Sequence, residues 1–111
     1  MIISGAVNVF PATVEAVLAE HTGIAEAAVI GAPHPQWGEA VVAFVRARSS
    51  HVGLTGRDIM DFCADKLSKP EIPKHVVLVE ELPKTSNGKI MKPALKNMLT
   101  QDPSLLPWNS G

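Results

Sequence analysis

Ala40 to Val45 is an unbroken apolar run, Ala-Val-Val-Ala-Phe-Val, inside the stretch Glu39 to Arg48. Its β-branched and aromatic residues favour a strand. A strand with one wet face would alternate apolar and polar residues, and this one does not. It must therefore be buried on both faces, so helices have to cover both sides of its sheet. The run is too short to cross a bilayer. At 111 residues the chain has room for one core of this kind and no second one.

The rest of the chain supplies the covering elements. Ile2 to Gly5 and Val7 to Phe10 read as two short strands around a turn, an N-terminal β-hairpin. Pro11 suits the first turn of a helix over Ala12 to Glu20, where Val14, Val17 and Leu18 recur at helical spacing and Gly23 lies past the end. Ile24 to Ile30 reads as a strand. Gly31 to Gly38 reads as a loop, because its prolines and glycines oppose regular pairing. Thr55 and Asp58 have capping-box spacing ahead of a second helix with the apolar stripe Ile59, Phe62, Cys63 and Leu67, ended by Pro70 and Pro73. His75 to Glu80 is a third strand, Glu81 to Gly88 a loop, and a last helix after Lys92 carries Leu95, Met98 and Leu99. The predicted fold is α+β: a small, largely antiparallel sheet of about three strands with helices on both faces, plus the hairpin. Residues 1–101 form the domain, and 102–111 read as a flexible tail rich in Pro, Ser and Asn.

Apolar residues at 46 % and charged residues at 19 % describe a chain that folds rather than a disordered one. Ten Lys plus Arg against eleven Asp plus Glu leave a formal charge of −1, which argues against nucleic-acid binding through overall charge. A single cysteine, Cys63, excludes an internal disulfide and a Cys-based zinc cluster, and its place on the apolar stripe makes it core. The four histidines show no ligand spacing, and no metal ligands are predicted. Met1 to Gly5 lacks the basic start and apolar stretch of a signal peptide, and no transmembrane segment is expected.

Three places have the chemistry of a site. Lys89 directly follows Asn87-Gly88 on a loop between ordered elements, where a long cation can reach a ligand phosphate or carboxylate. Asn-Gly is also the strongest two-residue hairpin signal, so an ordinary turn is the competing reading. The segment is not a Walker loop, lacking the upstream glycine and the following Ser or Thr. Ser4-Gly5-Ala6-Val7-Asn8 combines small residues that admit close backbone approach with an amide side chain, and equally suits a tight turn. Trp37 beside Gly38 and Glu39 can stack on a base or a partner, or cap the core.

Taken together these segments resemble the C-terminal domain of the acyl-adenylate-forming, AMP-binding superfamily, and within it the fatty-acid and other acyl-CoA ligases. The resemblance is carried by Met1 to Pro11 with Val14-Glu15, by Ala27-Ala28-Val29-Ile30-Gly31, by Trp37-Gly38-Glu39, and by Leu82-Pro83-Lys84-Thr85 through Gly88-Lys89-Ile90-Met91-Lys92. It implies a two-step reaction. A carboxylate attacks the α-phosphate of ATP, giving acyl-AMP and pyrophosphate with Mg2+ present. The thiol of coenzyme A then displaces AMP, after the C-terminal domain has rotated to present another face.

By the same resemblance, Lys89 matches the adenylation lysine. Ser4, Gly5, Ala6, Val7 and Asn8 match the segment lining the coenzyme A tunnel, and Lys74 aligns with a contact to the nucleotide part of coenzyme A. The chain departs from the pattern at Ala6-Val7, where many relatives have Gly-Glu, and at Pro70, where many have an aromatic residue. The large N-terminal domain, with its phosphate loop and its adenine and acyl pockets, is the implied partner. The expectation is a part of a cytoplasmic ligase that is inactive alone and binds no cofactor tightly. Carboxylic acid, ATP and coenzyme A are then substrates of the whole enzyme. A different class of reading is a free-standing module that binds coenzyme A, a nucleotide or a protein without catalysis.

Overall fold

A computed structural model of the chain describes residues 2–4, 7–36, 38–48, 53–102 and 105–106. The hub is the apolar run. It lies in β4 (Gly38–Ala47), and Ala40 to Val45 are all buried. Along one edge β4 pairs antiparallel with β3 (Ile24–His34), from Ile24↔Ala47 to His34↔Gly38. Along the other edge it pairs parallel with β5 (His75–Leu78), from Val42↔His75 to Val45↔Leu78. The hairpin of β1 (Ile2–Ser4) and β2 (Val7–Val9) joins that second edge through a single pair, Ser4↔Gly38.

Burial on both faces follows from the pleat, which sends successive side chains to opposite sides. Val41, Ala43 and Val45 pack with Val14 and Leu18 of α1 (Pro11–Ala19) and with Ile59 and Cys63 of α2 (Gly56–Ala64). Val42 and Phe44 pack with Leu95 and Leu99 of α3 (Lys92–Gln101) and with Leu82. The helices thus sit where an apolar strand without alternation demands them. The connection from β4 to β5 runs through α2, a crossover unit, and so the two strands are parallel while the rest of the sheet is antiparallel.

The α2 capping box forms as its spacing predicts: Thr55 Oγ1 accepts the Asp58 N–H at 3.2 Å, and Asp58 Oδ2 accepts the Thr55 N–H at 3.1 Å. The helix closes at Ala64. Lys66 and Leu67 both donate backbone bonds to the Cys63 carbonyl in a turn, and Leu67 still packs on the first core.

One stretch differs from its sequence reading. Gly31 to His34 is not loop but the end of β3, with Gly31, Ala32, Pro33 and His34 opposite Val41, Ala40, Glu39 and Gly38. The reason is position. β3 is an edge strand of the sheet, and an edge tolerates a residue without an N–H such as Pro33. The reversal is confined to the residues around Pro35 and Gln36, and Gly38 restarts the chain at φ 79°.

At the C-terminus, Leu106 is buried against the α3 core and Leu105 is half-buried there. The rest of the expected tail, 103–104 and 107–111, lies outside the described residues. Among the described residues no helix is long and apolar enough to cross a membrane.

Candidate functional site

Lys89 sits on a hairpin built by backbone bonds. Lys84 pairs with Ile90, the Met91 N–H donates to the Pro83 carbonyl at 2.8 Å, and the Thr85 N–H donates to the Lys89 carbonyl at 2.7 Å. The Gly88 N–H closes a β-turn on the Thr85 carbonyl at 2.9 Å, and Thr85 Oγ1 accepts the Lys89 N–H at 3.2 Å. The loop therefore has three residues, Ser86, Asn87 and Gly88, rather than two centred on Asn-Gly. Gly88, at φ 85°, takes the left-handed position that returns the chain to the strand pair. Ile90 packs toward the α3 core and Leu82 is fully buried in it, while the alternate residue, Lys89, is exposed. An apolar base and an exposed cation are what a lysine needs to reach out from a fixed point.

Charge fixes the same hairpin from the sheet. Lys84 Nζ is ion-paired with Glu26 Oε1 on β3, and Arg46 Nε lies 3.4 Å from Glu26 Oε2. Glu26 and Arg46 are opposite each other in the β3–β4 register. The hydrogen bond from Lys84 holds the Glu26 carboxyl below its ordinary range; burial pulls the other way, and the hydrogen bond from Arg46 adds to the lowering.

The coenzyme A candidates gather elsewhere. Ser4 pairs with Gly38 at the start of β4, and the Lys74 N–H donates to the Val41 carbonyl at 2.8 Å, on the same edge of β4. These anchor points are three residues apart, about 10 Å at the rise of a strand. β2 also contacts the 3-10 turn Lys69–Glu71 just before Lys74. Lys74 is half-buried with Nζ 3.4 Å from the Lys69 carbonyl, and Asn8 is exposed. Ser4 and Val7 are described through their backbone pairing with each other, and Gly5, Ala6 and Trp37 lie outside the described residues. Glu26, which holds the Lys89 hairpin, is opposite Arg46, at the far end of β4. The structure thus brings the backbones of Ser4 and Lys74 to one edge of β4, and ties Lys84, at the base of the Lys89 hairpin, to Glu26 near the far end of that strand.

Two acidic residues shape this frame without announcing it in the sequence. Glu39 Oε1 accepts the Ile3 N–H at 3.0 Å and ties β1 to β4. Glu15 Oε2 accepts the Val29 N–H of the edge strand at 2.8 Å and pairs with Lys92 Nζ at 2.9 Å, joining α1, β3 and α3. Glu39 and Glu15 lie within the motif segments, but only the tertiary contacts show what they hold. Glu26 and Lys84 are 58 residues apart, and no local pattern links them.

Other groups have plainer surroundings. Burial pushes the Cys63 thiol up and away from a reactive thiolate, which suits a core residue. Burial holds the half-exposed His75 below its ordinary value, with a hydrogen bond to the Leu105 backbone pulling the other way. Among the described residues no three His, Cys, Asp or Glu side chains gather as a metal site. A cleft of about 450 Å3 lies between Gly31–Pro33, Glu39 and the Lys96–Thr100 face of α3, and one of about 320 Å3 adjoins it at Gly31, Glu39 and Lys96. Neither is lined by Lys89 or Lys74.

Comparison with known proteins gives the family of the fold. Residues 13–89 match the family described as the AMP-binding enzyme C-terminal domain. The chain is 44 % identical over 98 residues to a probable acyl-activating enzyme 4 of Arabidopsis thaliana, covering 88 % of this chain and 18 % of that protein. It is 40 % identical over 96 residues to the long-chain-fatty-acid–CoA ligase FadD13 of Mycobacterium tuberculosis, covering 86 % and 19 %. The solved structure of a Mycobacterium tuberculosis fatty acyl CoA synthetase superposes with a TM-score of 0.84 at 37 % identity, over 91 % of this chain and 20 % of that one. The chain thus spans about a fifth of the length of the relatives it matches. With a matched segment that takes in both core-forming faces and ends on the exposed lysine of the hairpin, the chain belongs to the AMP-binding enzyme C-terminal domain family.

Proposed function

We propose that this chain acts as the mobile C-terminal domain of an AMP-forming acyl-CoA ligase, in which Lys89 serves the adenylation step. The observation that carries the reading is the hairpin that leaves Lys89 exposed on an anchored base, at the end of the family-matched segment. Negative charge gathers around the α-phosphate as a carboxylate attacks it. A cation held in place by its own domain stabilises that charge without having to reorganise. Lys89 Nζ would bind the nucleotide and the incoming carboxylate together, countering the repulsion between two anions.

The second step asks for a different surface. Ser4 to Asn8 would line the pantetheine path to the acyl-AMP, and Lys74 would meet the phosphates of coenzyme A as a point charge. Support comes from their separate attachments: Ser4 and Lys74 meet β4 at Gly38 and Val41, whereas Lys84, at the base of the Lys89 hairpin, is tied to Glu26 opposite Arg46. A domain that rotates between steps needs two faces that do not overlap. The large N-terminal domain would supply the ATP and acyl pockets. Mg2+ would travel with the nucleotide in that domain. In this reading the chain alone is inactive as a ligase and the reaction is cytoplasmic.

The test is complementation. The chain is joined or mixed with the N-terminal domain of a similar acyl-CoA ligase, and pyrophosphate release is followed with acid, ATP and coenzyme A. Activity should appear, and Lys89→Ala should lower it by about 100-fold or more, the scale of a lost charge-stabilising donor. Activity from the chain alone, or full activity of Lys89→Ala, refutes the reading. If no partner domain is activated and coenzyme A binds in calorimetry, a binding module without catalysis takes its place.

A further inference from the structure

Lys89 gains a supporting residue from an ion pair that spans most of the chain. We propose that Glu26 is a positioning residue for Lys89, fixing the register of the lysine hairpin through Lys84; this rests on the catalytic reading of Lys89 given above. Each carboxylate oxygen of Glu26 has its own cation, Lys84 at Oε1 and Arg46 at Oε2. The carboxylate is thereby oriented as well as attracted. Arg46 is fixed in turn by the β3–β4 ladder, directly opposite Glu26. Lys84 is therefore held at a point set by the most extensive pairing in the molecule, 58 residues away in sequence.

From Lys84 the constraint passes to Lys89 in one step. Lys84 pairs with Ile90, and Thr85 exchanges backbone bonds with Lys89 and Gly88. Side chains alternate along an extended segment, so Ile90 points to the core and Lys89 outward. A slip of one residue would exchange them, burying the cation and exposing the isoleucine. A pair of backbone strands this short specifies register weakly on its own, and the Glu26–Lys84 pair adds a marker at its base.

The first test uses the isolated chain. In Glu26→Gln, amide exchange at Thr85 and Met91 should speed up about fivefold, the scale of a partly exposed charged pair, while amides of the β3–β4 ladder keep their protection. Lys84→Met should do the same, Lys84→Arg should not, and the double variant Glu26→Gln with Lys84→Met should exchange no faster than either single one. Unchanged exchange at Thr85 and Met91, or additive effects, overturns the proposal. If Glu26→Gln fails to fold, the Lys84 variants decide it alone.

The second test uses the complemented ligase. Glu26→Gln should lower kcat for adenylation about fivefold with KM for ATP unchanged, and Lys84→Arg should retain the wild-type rate. An unchanged kcat overturns the positioning role. If the wild-type chain activates no partner domain, the catalytic reading of Lys89 falls, and with it the positioning of a catalytic group. The exchange data then report only on hairpin register.

Discussion

Replacing Gly31 by alanine tests how tightly β1 is tied to β4. Gly31 lies on β3 opposite Val41, and Glu39 is its diagonal neighbour on the facing strand. A Cβ at position 31 would stand 2.7 Å from Glu39 Oε2 and 3.1 Å from Ile2 Cγ2. The first distance is inside contact range, so the Glu39 carboxylate must move. Its other oxygen accepts the Ile3 N–H at 3.0 Å, and moving it weakens that bond. Loss of the charge-assisted bond costs about 1.5 kcal/mol and crowding of Ile2 about 1 kcal/mol. Alanine returns about 0.5 kcal/mol by restricting the unfolded chain. The net destabilisation is about 2 kcal/mol, or a fall in Tm of about 10 °C for a domain of this size.

Urea unfolding of the isolated chain measures it, and the Glu39→Ala background isolates the cause. With the carboxylate gone, Gly31→Ala should cost under about 1 kcal/mol, set by the crowding of Ile2 alone. An equal cost in both backgrounds, or none in the wild type, refutes the reasoning.

Two further outcomes follow from the same contacts. Glu15→Ala removes the partner of both the Val29 N–H and Lys92 and should cost about 2 kcal/mol, whereas Glu15→Gln keeps an acceptor for Val29 and should cost under about 1 kcal/mol by the same unfolding assay. Stability should also fall with acid. Glu26, Asp58 and Glu71 all have carboxyls held below their ordinary values, by Lys84, by the Thr55 N–H and by the Ser68 hydroxyl and N–H respectively. The unfolded state then binds more protons, so their contribution is complete above about pH 4.5 and is lost as the pH falls through the folded values. His75, also lowered, adds an earlier decline beginning near its unfolded pKa of about 6.5. A midpoint that stays constant from pH 7 to pH 3 contradicts both.

Sequence and structure divide this protein along a physical line. Local chemistry is legible in the sequence. The run Ala40 to Val45 dictates a strand buried on both faces. Thr55 with Asp58 dictates a helix start, because a cap is made within one turn. Asn87-Gly88 dictates a reversal before Lys89, although the three-residue loop depends on the bonds Thr85 makes. The motifs in order also point to the family, since each is a short stretch whose residue types serve one task. Pro33 was misleading, because a missing N–H matters only when a neighbour needs it, and edge position is a property of the sheet.

What only tertiary structure decides is which distant charges meet and which surfaces share an end of the sheet. Glu26 finds Lys84 across 58 residues, and Glu15 joins three elements, through partners that no spacing rule connects. Ser4 and Lys74, far apart in the chain, meet the same edge of β4, while Lys84, at the base of the lysine hairpin, is tied to Glu26 near the far end of that strand. The sequence by itself determines a two-faced strand, its covering helices and an exposed lysine. The folded chain decides the spacing between the two candidate faces, because side-chain contacts across a sheet are set by register, and register is a property of the pairing of strands rather than of either strand alone.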